Sequence, residues 1–134
     1  MNTSVFENTA SPRGAGGEAP SPVELPGIQE LKEKCRGKTL YFVAQYIDEY
    51  IKAADELFVP VGVKFFDIKL EFIGETEKAW KVKEVRDGIG SQVIFIPKSQ
   101  SRKVAGGFFV KSWLARREFD DIVRAYLGQV VFSQ

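Results

Sequence analysis

Along the chain the apolar positions change period more than once, and each change marks a change of structure. Ile28, Leu31 and Cys35 recur at helical spacing between Pro26, a favoured first-turn residue, and Gly37, a favoured C-terminal cap. They predict a short helix over 27–36. Leu40, Val43, Ile47, Tyr50, Ile51, Ala54, Leu57 and Phe58 carry the 3.6-residue period onward behind Thr39, with Asp48, Glu49, Lys52, Asp55 and Glu56 on the opposite side. A second, longer helix closed by Pro60 is the reading.

After Pro60 the period falls to two. Val61, Val63 and Phe65 share a face, and the apolar phase then passes to Phe66, Ile68, Leu70 and Phe72. Such a slip predicts one long strand with a bulge or a change of face, of the kind that serves two sides of a small barrel. Gly74-Glu75-Thr76 reads as a turn, and 77–85 as a strand with Trp80 and Val82 opposed to Lys81 and Lys83. A hairpin loop over 86–90, cued by Asp87-Gly88, leads to a strand over 92–96 that Pro97 ends. A further strand over 105–110 holds Gly106-Gly107, which predicts a bulge or a close approach of backbone. Ser112 can cap a last helix carrying Trp113, Leu114, Phe119, Ile122, Val123, Tyr126 and Leu127 and ended by Gly128, which leaves Val130-Val131-Phe132 as a terminal edge strand.

The fold class expected is therefore α+β: two N-terminal helices, a strongly bent antiparallel sheet closing toward a small OB-like or SH3-like barrel, and one C-terminal helix. Residues 1–26 are rich in Pro, Gly and Ser and poor in apolar groups, so they read as a disordered tail. Residues 27–134 read as a single α+β domain.

Composition narrows the chemistry. The 134 residues include no histidine and one cysteine. The commonest general base and metal ligand is thus missing, and an internal disulfide is impossible. Zinc would need an all-carboxylate site, which suits it poorly, so no metal and no cofactor is expected. Neither a secretory signal nor a membrane-length apolar stretch is present, and the expectation is a cytoplasmic, non-enzymatic protein with no membrane partner. Cys35 sits on an apolar stripe and reads as a buried structural thiol.

Nineteen Lys and Arg against eighteen Asp and Glu give a net charge of +1, but the charges are segregated. Eight acids fall between positions 47 and 77: Asp48, Glu49, Asp55, Glu56, Asp67, Glu71, Glu75 and Glu77. From 88 to 117 there is none, while Lys98, Arg102, Lys103, Lys111, Arg116 and Arg117 all lie there. These six cations are the candidate phosphate contacts, and within the stretch Lys98, Ser99, Gln100, Arg102 and Lys103 form a polar connection supplying the donors that phosphate contacts use. Trp80, Phe95 and Trp113 are candidate stacking surfaces, since cations interleaved with aromatics hold single strands without sequence preference. In the competing reading the aromatics are core and the cations answer the chain's own acidic helix. No phosphate-cradling or dinucleotide motif occurs, and Ser99 and Ser101 lack a base.

Lys78-Ala79-Trp80, Val93-Ile94-Phe95-Ile96-Pro97-Lys98-Ser99-Gln100 and Trp113-Leu114-Ala115 together resemble a small domain of unknown activity found in phage and mobile-element proteins. The likeness spans about 66–117, with Phe95 where the pattern usually has Trp, and implies a mobile-element origin. The two strand segments predict Trp80 and Phe95 as cross-strand neighbours. The functional expectation is a nucleic-acid-binding accessory protein, single strands favoured. Its alternative is an inhibitor or adaptor that binds a host defence or replication protein.

Overall fold

The 3.6-residue period of the first half does form two helices, but the second stops before its period does. The structure, a computed structural model, describes residues 25–133. Helix α1 (Ile28–Cys35) buries Ile28, Leu31 and Cys35. It closes at Gly37, whose positive φ of 72° suits a residue without a Cβ. Burial pushes the Cys35 thiol up from its ordinary pKa, as suits a packing residue. Helix α2 (Leu40–Ala53) buries Val43, Ile47 and Ile51, while Leu40, Tyr41 and Phe42 stand exposed on its first turn. Leu57 and Phe58 belong instead to strand β1 (Glu56–Pro60), where four consecutive residues are buried. A strand buried on both faces is apolar at every position, so it mimics the next turn of a helix. The expected tail, 1–26, lies outside the described residues except for its last two. Leu25 is buried, and the Pro26 carbonyl accepts a hydrogen bond from the Tyr50 hydroxyl at 2.7 Å.

What reads as one bent strand after Pro60 is a break followed by a hairpin. Strands β2 (Lys64–Phe65) and β3 (Ile68–Glu75) are joined by Phe66-Asp67, with Phe66 at φ 54° and 89% exposed. The change of apolar phase is this turn. A bulge does occur, but later, between Phe72 and Gly74. Strands β4 (Ala79–Arg86) and β5 (Gly90–Pro97) complete a four-stranded antiparallel meander in the order β2-β3-β4-β5. A 3-10 turn (Lys98–Gln100) leads into β6 (Ser101–Val104), and Ala105-Gly106 turns the chain into β7 (Gly107–Lys111). These pair with the first strand in a second sheet, β1-β7-β6. The expected barrel is thus replaced by two antiparallel sheets without closure, because the chain leaves the first ladder at Pro60 and starts another.

The expected single C-terminal helix is two, α3 (Ser112–Glu118) and α4 (Asp120–Phe132), hinged at the buried Phe119. Residues 130–132 continue α4 and form no edge strand. The core lies on both sides of β7. Phe108 packs on Trp80 and Phe72 of the meander, with ring centroids 5.9 and 6.1 Å away. Phe109 packs on Phe58 at 5.4 Å, and Phe58 on Tyr126 of α4 at 5.3 Å. Arg124 ties α4 to α2: Nη2 donates to Asp48 at 2.9 Å and Nε to Asp120 at 2.9 Å.

The close backbone approach expected at Gly106-Gly107 is found at Gly107. A Cβ there would run into the Val59 carbonyl oxygen and come within 2.8 Å of the Phe58 ring. Gly107→Ala is therefore expected to destabilise by about 1–3 kcal/mol through overpacking. Gly128, inside α4 with open space around it, should gain about 0.5–1 kcal/mol on replacement by Ala. Denaturant unfolding of the two variants reads both signs.

The Lys52 ammonium, and after it the Arg124 guanidinium, hold the Asp48 carboxyl below the usual carboxylate range. A group whose pKa is depressed on folding stabilises fully above its unfolded value, about 3.9 for Asp, and loses that contribution as pH falls through the folded one. The stability gap between the native protein and Asp48→Asn should therefore be present at pH 7 and close as the pH falls below the ordinary carboxylate range and through the lowered Asp48 value. Thermal melts across this range check it; a gap unchanged at pH 2 would mean that packing, and not charge, carries the link.

Candidate nucleic-acid interface

Most of the cations singled out in the sequence are already answered within the fold. Lys98, on the 3-10 turn, donates to Glu75 at 2.6 Å and lies 4.6 Å from the centre of the Trp80 ring. Arg102 pairs with Glu56 at 3.1 Å while stacking on Phe109. Arg117 meets Glu118 at 2.8 Å, and Arg116 reaches the Ile51 carbonyl. Lys103 sits 5.1 Å from the Phe72 ring without an ion pair among the described residues, and Lys111 is exposed. Ser99 is exposed, and Gln100 accepts from the Trp113 indole at 3.3 Å, with Trp113 half exposed. The structure thus joins Lys98 to Trp80 and Gln100 to Trp113, but places Arg102 and Lys103 on opposite sides of β6, as consecutive strand residues must be. The acids answering Lys98 and Arg102 come from β3 and β1, and α2 supplies neither.

The proposed Trp80–Phe95 pair does not form. In the ladder Trp80 faces Ile96, and Phe95 faces Lys81. One residue of register reverses the side a strand residue occupies, so Trp80 turns inward to Phe72 and Phe108 while Phe95 turns outward. The Trp80 Nε1 is buried with no acceptor among the described residues. Trp80→Phe, which removes that orphaned donor, should fall within about 1 kcal/mol of the native stability. Trp80→Ala should lose about 3 kcal/mol by emptying the space between the sheets. Chemical denaturation distinguishes the two.

The outward face of the meander is the feature the sequence reading did not assemble. On β4 Lys81 and Lys83 point away from the buried Val82, and their neighbours on β5 are Phe95 and Val93. Phe95 is 53% exposed, with the Lys81 ammonium 5.8 Å from its ring centre. Val93 and Ile73 are also open to solvent. On the far side, Lys69 pairs with Glu71 at 3.4 Å, and Lys64 with Asp87. Lys81 and Lys83 have no carboxylate partner among the described residues. The available signal was the unbroken apolar run from Val93 to Ile96, which gives a strand two apolar faces when only one can meet the core. At the end of this sheet the β2–β3 and β4–β5 turns are joined by a bond from Asp87 N to Asp67 O at 2.9 Å. They carry the exposed Phe66 and Ile89.

Two recesses lie away from this face. Between α1 and α2 lies an open groove of about 650 Å³, whose lining includes Tyr46, Tyr50, Glu30, Glu49 and Asp55. Burial pushes the Tyr50 hydroxyl up in pKa, and that hydroxyl is committed to Pro26. A smaller polar cleft of about 340 Å³ brings Glu84 and Arg86 of β4 against Glu118, Asp120 and Asp121 at the α3–α4 hinge. Glu84 is buried there and accepts from Gln92 at 2.8 Å and from Arg86 at 3.4 Å. Among the described residues no group of three or more Cys, Asp or Glu is placed to hold a metal ion. None of the described helices is long and apolar enough to cross a membrane.

No family model matches the chain, and no solved structure does. A stretch of 41 residues, 31% of the chain, is 46% identical to the UDP-glucose 6-dehydrogenase of Bos taurus, and the same figures hold for that of Pongo abelii. The chain spans only 8% of the length of these relatives. So small a share carries neither their activity nor their architecture to this protein.

Proposed function

We propose that the chain binds single-stranded nucleic acid non-enzymatically, on the outward face of the β2-β3-β4-β5 meander. The observation that carries this reading is the exposed Phe95 ring with Lys81 and Lys83 beside it on the open sheet. A base needs a flat apolar surface on which to stack, and its phosphates need cations with no closer partner. Lys81 and Lys83 meet that condition, whereas Lys98 and Arg102 would first have to give up Glu75 and Glu56. Lys103 and Lys111, also without an ion pair among the described residues, belong to the other sheet and are not part of this face. A mobile-element origin for such an accessory protein rests on the resemblance over 66–117 alone.

Fluorescence anisotropy with labelled single-stranded DNA and RNA tests the proposal. Phe95→Ala should weaken binding by about 1–3 kcal/mol, the worth of one stacked base. Lys81→Glu with Lys83→Glu should weaken it further and reduce its dependence on salt. Charge reversal at Lys98 and Arg102 should matter less than at Lys81 and Lys83. Absent or salt-insensitive binding by the native chain overturns the reading.

The adaptor reading keeps one specific support, the groove between α1 and α2. Its carboxylates Glu30, Glu49 and Asp55, which outnumber Lys34 in the same lining, and its tyrosines Tyr46 and Tyr50 favour a Lys- or Arg-bearing segment of another protein. Asp48 and Glu56 contribute less to such a surface, because Arg124 and Arg102 already engage them. Under this reading a host protein would be retained from lysate after nuclease treatment.

A further inference from the structure

Among the described residues, two sheets without closure leave four edges, and three of them are protected. β2 is two residues long. β1 is buried beneath α3 and α4 and ends in a proline. β6 is short and displays Arg102 and Lys103. These are the devices by which proteins keep unpaired backbone from recruiting another strand. β5 has none of them: it is eight residues long, exposed over most of its length, and holds its only proline at the last position. No charged residue occurs between 88 and 97.

We propose that β5 is a pairing edge for a second copy of this chain. Two antiparallel β5 strands would then make one eight-stranded sheet about a two-fold axis. Charge selects the occupant. A strand without charge can face itself in antiparallel order with no like charges opposed, a condition that Lys or Glu in the ladder would break. A two-fold axis normal to the sheet is an isologous contact, so the surface has only to complement itself.

The pleat narrows the register further. Outward residues must meet outward residues, so the axis passes through a residue and not between two. An axis through Ile94 sets Val93 of each copy opposite Phe95 of the other on the open face, and Gln92 opposite Ile96 on the inner one. The exposed Val93 and Phe95 thereby gain apolar neighbours. The pairing also brings the second copy's Phe95, Lys81 and Lys83 onto the same continuous face. It needs no nucleic acid, so its test is independent of the proposed function.

Sedimentation velocity of the full chain, free of nucleic acid and followed over a wide range of concentration, should show a monomer passing into a species of twice the chain mass. Val93→Lys places an ammonium against Phe95 of the other copy twice per dimer. It should leave a monomer whose circular dichroism spectrum is native, while Val93→Thr still dimerises. Hydrogen exchange on the native protein should show the edge amides within 90–96 gaining protection as concentration rises, a readout that does not depend on the variant folding. A native chain that stays monomeric at every concentration overturns the proposal. So does a dimer that persists in Val93→Lys, or one whose β5 amides exchange as they do in the monomer.

Discussion

The structure hangs on two consecutive residues of one strand. Phe108 and Phe109 are neighbours on β7, and strand geometry sends neighbours to opposite faces. One ring therefore enters the cluster of Trp80 and Phe72 and holds the meander, while the other meets Phe58 and, through it, the helix α4. Gly107 makes this possible by letting β7 lie against β1 at a distance no side chain would permit. The inward side of the meander is spent on this contact, and its outward side is left to solvent.

That division decides how the charges are used. Cations near the sheet junction, Lys98 and Arg102, find carboxylates at once, because β3 and β1 bring Glu75 and Glu56 to them. Such exposed pairs contribute little stability each, but they lower the local charge available to a ligand. Lys81 and Lys83 stand one layer further out, where the neighbours are Phe95, Val93 and Glu71, and Glu71 turns to Lys69. A count of net charge, or of acids along the sequence, sees none of this. The acid-free stretch is real, yet folding brings acids from outside it against half of its cations.

Much of the fold was legible where one period held over a sufficient run. Ile28, Leu31 and Cys35, and then Val43, Ile47 and Ile51, announced their helices, and Asp87-Gly88 announced its hairpin. The reading failed where tertiary burial imitates a local pattern. Leu57 and Phe58 fall at helical spacing only because a strand buried on both faces is apolar throughout. Phe66 is a poor candidate for a turn, since an aromatic residue seldom adopts positive φ, and the barrel expectation grew from that missed turn. The site suffered from a smaller error, a single step of register. Pairing Trp80 with Phe95 instead of Ile96 put both aromatics on one face, and hid the fact that Phe95 looks outward beside Lys81. Cross-strand register depends on loop geometry on both sides of a hairpin, which composition does not encode.

The placement of the meander between β1 and β7 also bears on how the chain reaches this state. β2 to β5 pair only with strands adjacent in sequence, so each ladder closes over a short loop. The β1–β7 ladder joins positions 56 and 111 and encloses all of them. Loop closure of that span costs conformational entropy before it returns any contact, and it costs less once the intervening chain is already compact. The topology therefore favours an order of events in which the hairpins collapse first and bring β7 back to β1. Phe108 and Phe109 reach their two partners together, in the step that completes the molecule.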